Sequence, residues 1–452
     1  MPIQASEQAG RPPSPEEIMN AARARETFLS RVLIAYITSG IVFMLLPGTF
    51  LGVWNLLQIS GRESAASVSP AWLQAHGHAQ VFGWISSFIF GIGFYSIPRS
   101  RNASRLSLIA PWLCWTMWTL AVATRWVANI YGWDWQFLLP SSAILELAAF
   151  LIFFAIVSQH RADVLDKRSP EPWILVVITA SIGLMCTLAI NLGATLDLSW
   201  RASSPALPHL LDQRFLTLTA WGFLVPFVWG FSSKWMPVFL GLKPVRWKLL
   251  FAALAMNFAG IVLTFVGLGD PATALFVAGT ISAIAALRMF EPARHEPKTR
   301  GVHRSFPYFV RMAYGWLLIA ALLGVAAVLW DSSGGIWGAS RHALTVGFIA
   351  VMVLSVGQRV LPAFAGMRLL WSTRLMFVAL ALLSLGCAFR VSGEILAYQG
   401  YAGWAWSILP VSALLEMAGI TAFAANVLGT FIFEPSRAQK QPVAAQLIRI
   451  AE

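Results

Sequence analysis

Two stretches of related design decide how this chain folds: HGHAQVFGWISSFIFGIGFYSIPR at residues 76–99 and RHALTVGFIAVMVLSVGQRVLP at residues 341–362. Each is apolar over a length that crosses the roughly 30 Å hydrocarbon layer as a helix. Both share a His, then a Gly five residues on, then a Pro twenty residues on: His78, Gly83 and Pro98; His342, Gly347 and Pro362. We therefore expect two equivalent transmembrane helices.

The composition extends this expectation to the whole chain. Of the 452 residues, 58% are hydrophobic and 12% are charged, whereas about a quarter of a soluble chain is charged. Because a bilayer offers no hydrogen-bond partners, apolar blocks of this length should be helices. The sequence predicts an all-α polytopic membrane protein with polar tails at 1–28 and 434–452. The twelve predicted spans are 29–53, 76–98, 106–130, 138–158, 172–192, 214–239, 248–267, 270–290, 309–330, 339–362, 374–398 and 404–432.

The basic residues predict the orientation of these spans, because cytoplasmic loops are enriched in Lys and Arg. With a cytoplasmic N-terminus, the outer loops hold mainly Arg62, Arg201 and Arg341. The inner loops hold many more: Arg99, Arg101, Arg105, Arg161, Lys167, Arg168, Lys243, Arg246, Lys248, Arg294, Lys298, Arg300, Arg304, Arg368 and Arg374. We expect both termini to be cytoplasmic. A basic rim facing anionic lipid explains the net charge of +12 without nucleic acid.

Matched spacings indicate three repeated units of four helices, at 29–158, 172–290 and 309–432. The middle unit repeats the spacing of the two opening stretches with Thr in place of His, at Thr217, Gly222 and Pro237. A second pattern matches the fourth and twelfth helices, through Pro140, Ser142 and Glu146 against Pro410, Ser412 and Glu416. The first and third units thus share a His, an Arg and a Glu that the middle unit lacks.

The first stretch resembles the second helix of subunit I of haem-copper oxidases and nitric oxide reductases. The second resembles the NnrS family, bacterial membrane proteins of about twelve helices that are associated with haem and copper and with the response to nitric oxide. These resemblances imply a haem-copper oxidase subunit I-like fold in a bacterial inner membrane and a bound haem b. Two imidazoles at matched depth on different helices suit the two faces of one haem iron. Carried over by motif, the axial ligands are His78 and His342, with His76 as the competitor of His78.

The intramembrane charges Arg125, Arg390, Glu146 and Glu416 need partners or a cavity, because charges are costly in a bilayer. In the functional interpretation, both arginines bind haem propionates, and the glutamates conduct protons or orient a ligand His. In the alternative, two symmetric Arg–Glu pairs lock neighbouring helices together. Arg341, next to His342, is either another propionate ligand or an interfacial side chain.

The chain also departs from the oxidase pattern. The oxidase has further His ligands on its sixth and tenth helices and after the sixth, where this chain has Thr217 and Ser340. A binuclear oxygen-reducing centre is therefore not expected, and copper is left as a candidate without a readable ligand cluster.

Three functions remain open. The first is an NnrS-type haem protein that binds or turns over nitric oxide or a haem-iron adduct. The second is an oxidase-derived electron-transfer subunit with an electron donor or partner subunit. The third is a cofactor-free transporter with parallel repeats.

Overall fold

The fold is a bundle of twelve consecutive helices, seen in a computed structural model that describes residues 14–100, 109–159 and 171–434. No β-strand occurs within these ranges. The helices are α1 (Pro15–Phe43, Met44–Phe50, Leu51–Arg62), α2 (Pro70–His78, Ala79–Ser86, Ser87–Ser100), α3 (Ala110–Tyr131), α4 (Trp135–Gln159), α5 (Pro172–Arg201), α6 (His209–Thr217, Leu218–Leu224, Val225–Leu240), α7 (Trp247–Phe265), α8 (Gly269–Leu287), α9 (Phe306–Trp330), α10 (Gly335–His342, Ala343–Ala350, Val351–Phe364), α11 (Thr373–Tyr398) and α12 (Ala405–Phe433). The predicted all-α membrane fold is confirmed.

Ten of these helices are long and apolar enough to cross a bilayer, among the residues that the structure describes. The other two, α2 and α3, coincide with the predicted spans 76–98 and 106–130. The chain is therefore a multi-pass membrane protein. Part of the predicted orientation rests on residues whose side chains the structure does not describe. These are residues 1–13 and 435–452 and six basic residues of the predicted inner loops: Arg99, Arg101, Arg105, Arg161, Lys167 and Arg168.

Helix α1 begins earlier than its predicted span, within the stretch expected to be a polar tail. Ser14 caps it: the Ser14 hydroxyl accepts from the Glu17 amide at 3.2 Å, and the Glu17 carboxylate accepts from the Ser14 amide at 2.6 Å. Pro15 fills the first helical position, where its missing N–H loses nothing. Helix α1 therefore extends well beyond the apolar block from which it was predicted.

Helices α2, α6 and α10 lie inside a ring formed by the others. In the most apolar window of α6 and of α10, 67% of the residues are buried, against 28–50% in the eight other candidate spans. Neighbouring helices pack in chain order, as α3 does with α4, α5 with α6 and α11 with α12. Helix α12 also packs against the second half of α1, which closes the ring.

The three inner helices share a local distortion. Each turns from α- to π-helical geometry immediately after the first position of the sequence repeat, which is His78, Thr217 or His342. Each π segment contains the repeated glycine, and each helix ends two or three residues beyond the repeated proline. A π turn widens the helix and re-aims its side chains, and such turns are frequent at functional sites. The equivalence of the three complete units remains a prediction.

The repeated glycine of α10 permits close helix contact. A Cβ at Gly347 would lie 2.5 Å from Cγ of Trp316 on α9, so Gly347→Ala should force the indole to move and lower stability by about 1–3 kcal/mol. Gly315 is the matched control, because a Cβ there meets nothing within 4 Å. Thermal unfolding in detergent should show a lower Tm for Gly347→Ala and no decrease for Gly315→Ala. Equal behaviour of the two variants would contradict this packing.

Candidate functional site

The first buried polar cluster surrounds His78 and draws one side chain from each of α2, α3, α4 and α5. His78 Nε2 lies 2.6 Å from Glu146 Oε1, and the two side chains are 5% and 0% exposed. Glu146 Oε2 accepts a hydrogen bond from Asn191 Nδ2 at 3.2 Å. Asn191 Oδ1 in turn accepts from Arg125 Nη1 at 2.7 Å. We call His78, Arg125, Glu146 and Asn191 the His78 cluster.

The His78 ring is held by stacking as well as by its carboxylate. Its centroid lies 4.5 Å from that of Phe82, with the rings 20° from parallel. Phe82 is anchored in turn, because the Trp118 indole donates to its carbonyl at 2.9 Å. A metal binding at Nε2 of His78 would have to displace Glu146. The arrangement suits a fixed hydrogen-bonded or proton-sharing pair.

The second cluster surrounds His342 on α10. Its Nδ1 lies 2.9 Å from the Gly338 carbonyl oxygen and 3.0 Å from Glu394 Oε2 on α11. Arg390 Nε, one turn before Glu394, lies 3.4 Å from the same carboxylate oxygen. A Cβ at Gly338 would collide with Glu394, so the glycine admits this close approach. The His342 side chain retains 26% of its accessible surface.

His76 belongs to this second cluster. Its Nδ1 lies 2.8 Å from the carbonyl oxygen of Gly48, which is in the π segment of α1. A Cβ at Gly52 would lie 2.6 Å from Cε1 of the ring, so Gly48 supplies the carbonyl partner and Gly52 the space for the imidazole. His76 is also within electrostatic range of His342 and Arg390. We call His76, His342, Arg390 and Glu394 the His342 cluster.

The helical period explains why His76 and His78 have different neighbours. At 3.6 residues per turn, two residues along a helix rotate the side chain by roughly 200°. His78 therefore faces α4, while His76 faces α1 and the His342 cluster. Although the repeat aligns His78 with His342, the structure brings His76 into the neighbourhood of His342.

Glu416 on α12 lies beside the His342 cluster. It is within electrostatic range of His342, Arg390 and Glu394. Its Oε1 is buried and makes no hydrogen bond with the described residues. Glu416 is thus an intramembrane carboxyl group with a free oxygen.

Arg341, next to His342, lies between the two clusters. Its guanidinium donates to the Gln213 side chain and is within electrostatic range of Asp212 and Glu394. Asp212 is also within range of Arg125 in the His78 cluster. Arg341 is therefore more than an exposed interfacial side chain.

The contacts of the intramembrane charges bear on the interpretation as two symmetric Arg–Glu pairs. Direct Arg125–Glu146 and Arg390–Glu416 pairs are not found in the described part of the chain: Asn191 bridges the first pair, and Arg390 pairs with Glu394 instead. Sequence reasoning missed Asn191 and Glu394. Glu394 lies four residues after Arg390 in an apolar span, which is the spacing of a helical ion pair and could have revealed it.

The His342 cluster fits a haem better than an isolated metal ion. No group of three or more His, Cys, Asp or Glu side chains that could hold a metal ion occurs among the described residues. Haem iron needs at most two protein ligands, because the macrocycle supplies four nitrogens. His76 and His342 each bind a backbone carbonyl through Nδ1, so Nε2 is the ring nitrogen that could serve as a metal ligand.

Comparisons with known proteins support the fold but not a function. A family model described as a domain of unknown function (DUF8744) matches residues 238–430, and no curated protein matches the chain. The fold is similar to that in a cryo-EM structure of a haem-copper terminal oxidase dimer, with a TM-score of 0.54 and 11% identity. The match covers 89% of this chain and 84% of that chain. The subunit I-like fold expected from the sequence is thereby confirmed.

Loss of the central carboxylate should destabilise the His78 cluster. Glu146→Leu leaves buried Arg125 without its bridged counter-charge, so we expect a loss of about 3–5 kcal/mol in the free energy of unfolding. Glu171→Gln is the control, because the ion pair of Glu171 with Lys234 is exposed and is worth at most about 1 kcal/mol. Denaturant unfolding in micelles measures both variants. Equal, small losses would show that Glu146 is not the counter-charge.

Proposed function

We propose that this protein is a haem-binding membrane protein of the bacterial inner membrane that holds haem b between α2 and α10. In this proposal it acts in nitric oxide or nitrosative stress, as the resemblance to the NnrS family implies, by binding or turning over nitric oxide or a haem-iron adduct. The observation that carries the haem assignment is the pair His76 and His342, on two adjoining inner helices, each anchored through Nδ1.

The residues around the pair suit this role. The Gly48 carbonyl fixes the His76 tautomer with its proton on Nδ1, and the Gly338 carbonyl does the same for His342. Glu394, at 3.0 Å from His342 Nδ1, would increase the basicity of that ligand. A Cβ at Gly52 would collide with the His76 ring, so the glycine there admits the imidazole in this position.

Two arginines supply positive charge for the haem propionates. Arg390 contacts Glu394 within the cluster, and Arg341 lies at the outer side, within electrostatic range of Glu394. Arginine suits carboxylates because its planar fork donates two parallel hydrogen bonds. Arg125 lies in the His78 cluster, bonded to Asn191, and is not part of this proposal. When bound, haem would supply one-electron redox chemistry and affinity for diatomic gases.

An electron-transfer role is the second candidate, and the two-histidine geometry favours it. A haem with both axial positions occupied by His has no open position for a gas, so nitric oxide binding requires release of one ligand. The His342 side chain retains 26% of its accessible surface, whereas the His76 ring packs closely against the backbone at Gly52. We infer that His342 is the ligand that would be released.

Haem spectra of the purified protein test the axial ligands. Wild type should show a low-spin spectrum when oxidised and reduced. His76→Ala and His342→Ala should each lose it, or become high-spin, because each removes an axial ligand. His78→Ala should retain it, because His78 binds Glu146.

Two outcomes would change the proposal. Loss of the spectrum in His78→Ala but not in His76→Ala would assign the axial pair by the sequence repeat instead. A colourless wild-type protein, expressed with haem available, would exclude haem and favour the cofactor-free transporter. Gel filtration of every variant separates lost haem from lost fold.

The response of the haem spectrum to nitric oxide distinguishes the two haem functions. If the protein acts on nitric oxide, anaerobic addition of the gas to reduced protein should change the spectrum stoichiometrically, and His342→Ala should respond faster than wild type. If it only transfers electrons, wild type should keep its low-spin spectrum under nitric oxide and oxidise a reduced quinol or similar donor. The nitric oxide role would be overturned if the gas left the wild-type spectrum unchanged and a nitric oxide electrode recorded no consumption.

A further inference from the structure

Helices α6, α9 and α10 meet along a seam that neither cluster occupies. At its inner end Arg359 Cζ lies 4.2 Å from the ring centroid of Phe239 on α6 and 5.4 Å from that of Phe306 on α9. Farther along, Tyr314 of α9 contacts Phe348 of α10, with 5.2 Å between ring centroids. The first layer joins all three helices and the second joins α9 to α10, and we call the interval between them the α6–α9–α10 seam.

Buried polar atoms in this seam lack partners. Tyr314, Ser232 and Ser355 are 0%, 1% and 0% exposed. Their hydroxyl oxygens make no hydrogen bond of acceptable geometry within the described parts of the chain. The hydroxyls of Tyr314 and Ser232 are close enough to interact with each other at the contact of α9 with α6. A buried hydroxyl without a partner is destabilising, and the Ser355 hydroxyl has none among the described residues.

Arg359 is the charged member of the seam. Its Nε and Nη1 are buried and have no hydrogen-bond partner among the described residues. The aromatic rings of Phe239 and Phe306 stabilise the guanidinium charge but accept no normal hydrogen bonds from its edge. Ser355 precedes Arg359 by one helical turn, about 6 Å along the axis, so its hydroxyl is the next donor outward.

The chemistry of the seam selects an anion. Its unpartnered groups are a guanidinium and hydroxyls, all of which can donate, and Arg359 has no carboxylate in range among the described residues. A cation or hydronium would be repelled at the inner end. A lipid phosphate could reach Arg359 at the interface, but the fully buried hydroxyls are open only to an ion small enough to enter between the helices.

We propose that the inner end of the α6–α9–α10 seam binds a small inorganic monovalent anion. Its first ligands are the Arg359 guanidinium and the Ser355 hydroxyl, and the Tyr314–Ser232 pair provides the next donors along the seam. The site opens toward the inner face, where the loops are rich in basic residues. It is separate from the two histidine clusters and does not require haem.

The test is calorimetric titration of the detergent-purified full chain with sodium chloride, sodium nitrite or sodium nitrate, at constant ionic strength set with sodium gluconate. Wild type should show saturable binding of at least one of these anions. Arg359→Gln should bind at least tenfold more weakly, and Ser355→Ala roughly three- to tenfold more weakly, because one hydrogen bond to a charged group is lost. Arg304→Gln should match wild type, since Arg304 is exposed on an inner loop.

Several results would overturn the proposal. One is the absence of saturable anion binding in folded wild type, and another is unchanged anion affinity in both Arg359→Gln and Ser355→Ala. A third is a loss of affinity in Arg304→Gln as large as that in Arg359→Gln, which would indicate binding to diffuse surface charge. Native mass spectrometry tests whether Arg359 binds a lipid phosphate instead. A phospholipid retained by wild type and Ser355→Ala but lost from Arg359→Gln would show that Arg359 binds a lipid headgroup. If Arg359→Gln does not fold, Ser355→Ala and Tyr314→Phe decide the question, because removing an unoccupied hydroxyl would leave affinity unchanged.

Discussion

A charge inside a bilayer must find its partner within the protein, and this requirement shapes the interior of the molecule. Hydrocarbon offers neither water nor counter-ions, so an unpaired buried charge costs several kcal/mol. Arg125 and Glu146 meet this requirement across three helices through Asn191. Arg390 and Glu394 pair with each other within one helix, and Glu394 also contacts His342. The polar groups therefore set how α3, α4 and α5 associate, and how α10 meets α11.

The seams between helices consequently differ in chemistry although their helices are related in sequence. The seam around His78 is closed, because its carboxylate, amide and imidazole bind each other. The seam around His342 differs, because His76 and His342 bind backbone carbonyls through Nδ1 and their Nε2 atoms are not part of those contacts. The α6–α9–α10 seam has donors without acceptors. One architecture thus provides a structural lock, a proposed cofactor site and a proposed anion site.

The π segments explain how closely related helices can serve such different seams. A π turn shifts the helical phase, so residues before and after it face different neighbours. In α2 this shift follows His78 directly, and in α10 it follows His342. Helix α1 has its own π segment, around Pro47, and there the Gly48 carbonyl holds His76. The backbone geometry and the ligand geometry are therefore linked at the same positions.

The sequence by itself determined the membrane class, the twelve helices and the candidate charged residues. Apolar length and helical backbone hydrogen bonding are local properties, so they can be read from one segment at a time. Only the tertiary structure decided which partners those residues have. His76 and His78 are two positions apart, and their neighbours depend on how α1, α4 and α10 surround α2. Pairing through Asn191, the contact of Glu394 with His342, and the unpartnered donors beside Arg359 arise from contacts between distant segments that no local pattern encodes.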